Sequence, residues 1–383
     1  MAHSPARGRK WTGRLGALVV VAVGVLSAAP SSPAFATPTA NRPRAVGLGT
    51  LPGGTYSFAT AVSDDGKMVA GYSNSATTLG EQQHGFLWNK GVFTDLGLML
   101  DYPGFGPTAV NNLGQVIGYL VVYDQAGGFI WSHGVLTRLA RDANPNALNN
   151  RGQVVGAVGY GGTPRPFLWE NGVMTDFGAD VTSGIATAIN DRGEIAGVAA
   201  YGTDPATGVI WRHGMTVKLP AIAGQAAVPT FINSHGNVAG NYQPSDGGSQ
   251  GFVWFDGRLT AVAPRAYTLI TDFNDRGEAV GLAINPGDPV WMPFVWRNGV
   301  ITEVTVLAGP NIRNPQIDNR GRIVATEVPA VRISVTRNGV VSYLPSVGTP
   351  GDDELGGVSK HGVIVGGSRT SEGLFQAAAW FSP

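Results

Sequence analysis

The 383-residue chain contains no cysteine, has charged side chains at only 14% of its positions, and balances 26 basic against 26 acidic residues. Without disulfides the fold must be stabilised by its own core, and a chain of this length can bury one. A formal net charge of zero argues against nucleic acid, whose phosphates require clustered cations. It argues equally against electrostatic binding to a membrane.

Long hydrophobic runs are also scarce, and the longest lies near the N-terminus, at residues 15–26. It follows a basic segment and precedes a small-residue cleavage pattern at 34–36, which is typical of a secretory signal peptide. The run is shorter than the roughly 20 residues that span a bilayer. We therefore predict a signal peptide at 1–36, a linker at 37–44 and a secreted protein without stable membrane insertion; an uncleaved anchor is the alternative.

Motifs that carry chemistry are missing as well. The histidines show no His-x-Glu or His-x-x-x-His spacing for zinc, and the acidic turns lack the alternating ligands of a calcium loop. The serines are scattered through loops and do not sit on a strand-to-helix turn, and no glycine-rich loop opens a helix to cradle a phosphate. The sequence therefore predicts no metal site, no cofactor and no catalytic residue.

Glycine, in contrast, is abundant at 56 residues, and it recurs in a repeated pattern. One half of the pattern is a turn that ends in glycine before an apolar strand, as in Asn-Asp-Arg-Gly at 190–193. The other half is an aromatic strand that ends in tryptophan, as in Phe-Leu-Trp at 167–169. The turn glycine returns every 38 to 48 residues, at Gly66, Gly114, Gly152, Gly193, Gly236, Gly277, Gly321 and Gly362. Such a period is typical of repeat architectures.

Each repeat contains four short strands; in the fourth they are predicted at about 186–189, 194–199, 208–211 and 216–219. The Asn-x-x-Gly turn fits a hairpin in which the Asn side chain bonds the backbone two residues on. A two-residue turn ending in glycine joins the third and fourth strands. Four antiparallel strands in about 42 residues, without helical periodicity, make one blade of a propeller.

We therefore predict an all-β fold, an eight-bladed β-propeller that forms a single domain at 45–383. The last repeat lacks its fourth strand, and the unclaimed strand at 45–51 can supply it and so close the ring. The seventh repeat has Ala325 and Thr336 in place of glycine and tryptophan, so a seven-bladed ring is the alternative. The tryptophans are predicted to pack between neighbouring blades.

Three of these features resemble a known family: Leu-Gly-Thr-Leu-Pro-Gly-Gly at 48–54, the Asn-x-x-Gly turns, and His-Gly-Phe-Leu-Trp at 84–88. They are similar to those of bacterial extracellular HAF-repeat proteins, named for a His-Ala-Phe triplet before the tryptophan strand. The triplet has drifted here, and its histidine survives only at His84. The resemblance covers almost all of the chain after the signal peptide. It implies an exported repeat protein and carries no catalytic residues.

Tyrosines recur near the end of the second strand, before irregular loops, and rigid scaffolds commonly bind ligands through such loops. Flat rings with polar edges suit stacking on sugars or holding a peptide. The candidate ligand-binding residues are Tyr72, Tyr119, Tyr123, Tyr160, Tyr201 and Tyr242. Packing of these rings at the blade edges is the alternative.

The sequence thus predicts a secreted binding module whose partner is an extracellular polysaccharide, a cell-wall component or another protein. Two other functions remain open: an enzyme that degrades polysaccharides, and a structural or adhesion protein. The enzyme would require paired carboxylates about 5–10 Å apart at one mouth of the channel.

Overall fold

The computed structural model of the chain describes residues 43–381, apart from 78–79, 99–105, 123–124, 141, 160–161, 178–179, 246, 256 and 305–310. The predicted signal peptide and all but the end of the predicted linker lie outside the described residues. Eight four-stranded antiparallel sheets form an eight-bladed β-propeller, as predicted. The seven-bladed alternative is wrong, because the seventh repeat forms a complete sheet despite its two substitutions.

Each of the first four blades follows chain order from its innermost to its outermost strand. Blade 1 consists of β2 (Ser57–Val62), β3 (Met68–Thr77), β4 (Gly80–Asn89) and β5 (Val92–Leu98). Blade 2 consists of β6 (Gly106–Val110), β7 (Val116–Val122), β8 (Gln125–Ser132) and β9 (Val135–Arg138). Blade 3 consists of β10 (Ala143–Leu148), β11 (Val154–Val158), β12 (Arg165–Glu170) and β13 (Val173–Asp176). Blade 4 consists of β14 (Val181–Ile189), β15 (Ile195–Tyr201), β16 (Thr207–Arg212) and β17 (Met215–Lys218).

The remaining blades repeat this order, and only the last recruits a strand from elsewhere in the chain. Blade 5 consists of β18 (Val228–Ile232), β19 (Val238–Tyr242), β20 (Gln250–Phe255) and β21 (Arg258–Val262). Blade 6 consists of β22 (Tyr267–Phe273), β23 (Ala279–Ile284), β24 (Met292–Arg297) and β25 (Val300–Glu303). Blade 7 consists of β26 (Asn311–Ile317), β27 (Ile323–Val328), β28 (Arg332–Arg337) and β29 (Val340–Tyr343). Blade 8 consists of β30 (Asp353–Val358), β31 (Val363–Arg369), β32 (Phe375–Phe381) and β1 (Arg44–Gly49).

The ring is closed by the N-terminal strand, as predicted. β1 runs antiparallel to β32, and Arg44 pairs with Phe381. Ser57 of blade 1 strengthens this closure, because its hydroxyl donates to Gly49 O at 2.6 Å and accepts from Ala377 N at 2.8 Å. Both ends of the described chain are therefore fixed to blade 1 as well as to each other.

The hydrophobic core is divided into clusters that lie at the seams between blades. Trp88 of blade 1 packs with Val365 and Ala377 of blade 8, and Trp380 of blade 8 packs with Val324 of blade 7. The prediction that tryptophans pack between blades is confirmed at these seams. The seam between blades 6 and 7, where Thr336 replaces tryptophan, has an all-aliphatic cluster of buried residues: Val280, Val295, Val304, Ile317 and Ile323.

The Asn-x-x-Gly turns do more than close hairpins. Asn149 is 4% exposed, and its Oδ1 accepts from the N–H groups of Arg151 and Gln153, both at 3.0 Å. Its Nδ2 donates to Gln153 Oε1 at 2.8 Å and to Asn190 O of the next blade at 3.0 Å. The first role was predicted from sequence; the second, which joins neighbouring blades, was not.

This inter-blade bond repeats around most of the ring. The asparagine amides that donate to the carbonyl of the equivalent residue in the next blade belong to Asn111, Asn149, Asn190, Asn233 and Asn274. Blade 7 has Asp318 at this position, and the adjacent Arg322 takes over the donation. Arg322 is 1% exposed; its Nε donates to Asp318 at 2.7 Å and its Nη2 donates to Gly362 O of blade 8 at 2.9 Å. At this seam the buried Arg322–Asp318 ion pair therefore supplies the inter-blade hydrogen bond that an asparagine amide supplies elsewhere.

A second set of inter-blade bonds comes from bulges in the innermost strands. Thr60, Thr187 and Thr271 each occupy a bulge, where one extra residue leaves the ladder register. Their hydroxyls donate to carbonyls of the next blade: Pro107 O at 2.7 Å, Pro229 O at 2.8 Å and Pro315 O at 2.6 Å. Proline is compatible with these strands because they are sheet edges and need no ladder donor there.

We predict that Asn149→Ala lowers the free energy of unfolding by about 1–3 kcal/mol, because it leaves the part-buried N–H groups of Arg151 and Gln153 without their acceptor and removes the buried bond to Asn190 O. Asn149→Ser is the matched control, since Ser63 and Ser359 occupy the equivalent position in blades 1 and 8 and accept from the turn backbone. It should restore part of the loss, the remainder being the inter-blade bond. Urea unfolding checks both variants, and stabilities equal to that of the wild type would contradict the prediction.

Candidate functional site

The central channel is surrounded by the eight innermost strands, and its two mouths differ. At one mouth, here called the turn end, lie the turns that join the first and second strands of each blade. At the other, the loop end, lie the loops that join strands two to three and four to one. The fold places the irregular segments of the sequence at the loop end, because successive strands of a blade are antiparallel.

Side chains from several blades meet across the channel at the turn end. Lys360 of blade 8 lies 3.0 Å from Asp64 of blade 1 and 3.9 Å from Asp275 of blade 6. Asn150 of blade 3 donates to Asp64 at 3.0 Å and to Asp191 of blade 4 at 2.9 Å. Polar contacts therefore bridge this mouth.

The electrostatics of the turn end are those of a satisfied network. Burial alone would lower the pKa of Lys360, but the carboxylates of Asp64 and Asp275 outweigh burial and hold that pKa above its usual range. Burial would likewise raise the pKa of Asp275, but the Ser234 N–H and the Lys360 charge lower it. The carboxylates of Asp64, Asp191 and Asp275 already accept hydrogen bonds from neighbouring blades. Among the described residues, no group of three or more His, Cys, Asp or Glu side chains is arranged to hold a metal.

The loop end contains an open hollow at the seam between blades 8 and 1, with a volume of about 570 Å³. We call it the seam hollow. Its lining residues are Thr55, Tyr56, Glu354, Arg369, Gly373, Leu374 and Phe375.

Two aromatic rings, Tyr56 and Phe375, line the seam hollow, and Phe58 and Tyr72 pack against them. Tyr56, which is 38% exposed, lies near-parallel to Phe375, with ring centroids 5.5 Å apart and planes 16° apart. Phe58 lies near-parallel to Phe375 at 6.3 Å, and Tyr72 lies 5.9 Å from Phe58 and 6.1 Å from Tyr56. The four rings form one cluster contributed by both blades.

The cluster depends on a glycine in blade 8. Gly367 of blade 8 is equivalent to Tyr72 of blade 1, since each follows the second glycine of its repeat by one residue. A Cβ on Gly367 would lie 2.3 Å from the Phe375 ring and 2.8 Å from the Phe58 ring. The missing side chain provides the space that these two rings fill.

The walls of the seam hollow are fixed by hydrogen bonds. Asn74 Oδ1 accepts from the N–H groups of Thr55 and Tyr56 at 2.8 and 2.7 Å. On the opposite wall Arg369 donates to Asp352 and to Gly373 O, both at 2.7 Å. Asn74 therefore fixes the backbone on one side of the hollow, and Asp352 and Gly373 fix the Arg369 side chain on the other.

The predicted tyrosines occupy different environments. Tyr72 lies in the aromatic cluster, where burial, a hydrogen bond with Tyr56 and the charge of Glu354 raise its pKa well above the usual range. Tyr119 is half-buried and donates to Pro145 O of the next blade at 3.1 Å. The ring of Tyr201 is covered by the Lys218 ammonium at 4.9 Å, and Tyr242 is 6% exposed and donates to Gln250. Tyr123 and Tyr160 lie outside the described residues.

Strand register explains why these tyrosines do not gather. Tyr72 and Tyr119 follow the second glycine of their repeats by one residue, Tyr242 by two and Tyr201 by four. Side chains alternate between the two faces of a strand. A tyrosine an odd number of residues after the glycine therefore points to the opposite face of the blade from one an even number of residues after it. The sequence reasoning missed Tyr56, Phe58, Phe375 and Glu354, although the predicted pairing of the chain ends already indicated that blades 8 and 1 meet.

Comparison with known proteins supports the fold and goes no further. No family model matches the chain, and no curated protein matches its sequence. Among solved structures, the β-propeller domain of the Trilobed protease from Pyrococcus furiosus is similar in fold, with a TM-score of 0.51 and 12% identity over 77% of this chain and 100% of that chain. An acylaminoacyl peptidase from Pyrococcus horikoshii gives 0.48 and 13% over 76% of this chain and 52% of that one; a streptogramin B lyase gives 0.45 and 14% over 89% and 98%.

The class of protein is therefore a β-propeller module with eight blades. No helix in the described part of the chain is long and apolar enough to cross a membrane.

Asp272, close to the turn end, makes the stability of the protein depend on pH. Burial raises its pKa to about 6, although the N–H groups of Ile317 and Phe273 donate to it; Asp318 raises the pKa further and Lys360 lowers it. A carboxyl group with a higher pKa in the folded than in the unfolded state favours folding when it is protonated.

We predict that this contribution is present at about pH 4 and is lost as the pH rises through about 6. Asp272→Asn removes the titrating group, so the variant should gain stability relative to the wild type between those pH values. Urea unfolding at a series of pH values measures the difference. Stability curves that run parallel for the two proteins would refute this assignment.

Proposed function

We propose that the protein is a secreted module that binds an extracellular polysaccharide in the seam hollow. The observation that carries the proposal is the aromatic cluster at the loop end, with Tyr56 and Phe375 both on the hollow lining. Aromatic rings offer apolar faces with polar edges, which suit the alternating C–H and O–H surfaces of sugars.

The fixed walls support the same proposal. Because Asn74 and Arg369 hold the two sides of the hollow, little conformational entropy is lost when a ligand binds. The leader-like N-terminal segment and the HAF-repeat resemblance support export of the protein, where such a partner would be met.

The enzyme alternative has less support. Hydrolysis of a glycosidic bond requires two carboxyl groups in one site. Among the described residues that line the seam hollow, Glu354 is the only acid. Carboxylates do gather at the turn end, but Lys360 forms an ion pair with Asp64, and Asn150 donates hydrogen bonds to Asp64 and Asp191. A binding role therefore fits the two mouths better than a hydrolytic one.

We predict that the full chain, expressed with its own leader and recovered from the culture medium, binds one class of polysaccharide on a glycan array. Replacing both Tyr56 and Phe375 with alanine should weaken that binding by about tenfold or more, because each lost stacking contact is worth about 0.5–1.5 kcal/mol. Titration calorimetry with the bound glycan measures the loss.

Tyr267→Ala is the matched control. Tyr267 is also 38% exposed and begins the innermost strand of blade 6, but it is outside the seam hollow. Its replacement should leave binding unchanged. The proposal fails if no polysaccharide binds, or if the double variant binds as tightly as the wild type while remaining folded by circular dichroism.

A further inference from the structure

The charge inside the seam hollow is negative and is concentrated on one group. Glu354 is exposed on the innermost strand of blade 8 and lines the hollow. Among the described residues, no basic side chain forms an ion pair with its carboxylate. The one cation on the lining, Arg369, is already paired with Asp352 at 2.7 Å and donates to Gly373 O.

The carboxylate lies beside the aromatic cluster. It is close enough to Tyr72 for its charge to raise the pKa of the phenol, and it shares the hollow with Tyr56 and Phe375. The hollow lining therefore combines two aromatic rings, Tyr56 and Phe375, with one carboxylate that has no ion pair among the described residues.

This combination favours a cation. Aromatic faces attract an ammonium group through their quadrupole, by about 0.5–2 kcal/mol, and a nearby carboxylate adds a charge-assisted hydrogen bond. An anionic ligand would be repelled by the Glu354 carboxylate, and the charge of Arg369 is already paired with Asp352. A neutral ligand would use the rings but leave Glu354 without a counter-charge.

We infer that the seam hollow recognises a sugar that carries a free ammonium group, that is, an unacetylated amino sugar within a polysaccharide. This inference rests on the proposed function and specifies its ligand class. The rings stack on the sugar face, and the Glu354 carboxylate accepts a hydrogen bond from the ammonium. An N-acetylated residue would lose the charge, and its added acyl group would have to fit beside Glu354.

The test compares two soluble oligosaccharides of equal length, one of glucosamine and one of N-acetylglucosamine, by titration calorimetry with the full chain. The glucosamine oligomer is expected to bind at least tenfold more tightly. Glu354→Gln should reduce that ratio to about threefold or less, because the isosteric amide lacks the charge, while binding of the acetylated oligomer changes little. Raising the pH until the sugar amine is neutral should remove the preference from the wild type.

Glu372→Gln is the matched control. Glu372 is an exposed residue of the 370–374 loop of the same blade and does not line the hollow. The Glu372→Gln substitution makes the same change in net charge as Glu354→Gln and should leave the ratio of the two affinities unchanged. An equal loss in both variants would mean that the preference reflects overall charge, and this would overturn the inference.

Other outcomes separate this inference from the proposed function. Equal affinity for the two oligomers, lost in the Tyr56 and Phe375 double variant, would overturn the ammonium preference and leave polysaccharide binding standing. Binding of neither oligomer, together with a negative glycan array, would remove both. Tight binding of a tetralysine peptide without binding of glucosamine would overturn the sugar class.

Discussion

The hydrogen bonds from the buried first-turn asparagines to the next blade are the interactions on which the propeller most depends. Hydrophobic packing holds two sheets face to face, but it is non-directional and tolerates sliding. A bond from Asn149 Nδ2 to Asn190 O at 3.0 Å fixes how far one blade is displaced relative to its neighbour. Because the amide is 4% exposed or less in several blades, misalignment would leave a buried polar group unpaired, which costs more than the bond itself contributes. A chain without disulfides obtains its alignment in this way.

The same constraint explains how the ring tolerates its irregular seventh blade. Asp318 cannot donate, so Arg322 spans the seam and is neutralised by Asp318 at 2.7 Å. At the seam between blades 6 and 7, where the tryptophan of blade 7 is missing, Val295 of blade 6 still packs against Ile317 of blade 7. At the last seam, Lys360 and His361 of blade 8 contact Asp64 of blade 1 at the turn end, while Ser57 joins blade 1 to β1 and β32. Closure is thus secured at more than one level of the channel.

The fold could be predicted from sequence because its signals are local. The Asn-x-x-Gly and x-Gly turns each require a positive φ at glycine, and the structure has Gly193 at φ 78° and Gly172 at φ 80°. The candidate site could not be predicted in the same way, because it arises where two repeats differ from the pattern. Gly367 stands where Tyr72 stands in blade 1, and the space it leaves is filled by Phe375 and Phe58. A search for residues that recur between repeats finds Tyr72, but it overlooks Gly367, whose importance is that it has no side chain.

The two mouths of the channel use polar groups differently, and this difference points to the loop end as the functional one. At the turn end, Asp64 and Asp275 raise the pKa of Lys360, while the Ser234 N–H and the Lys360 charge lower the pKa of Asp275, so these charges already compensate one another. At the loop end, Arg369 is paired within its own blade, while Glu354 faces the hollow without an ionic partner among the described residues. A charge that the fold leaves uncompensated beside preorganised rings is available to a ligand, since neither the rings nor the carboxylate must first give up an internal partner.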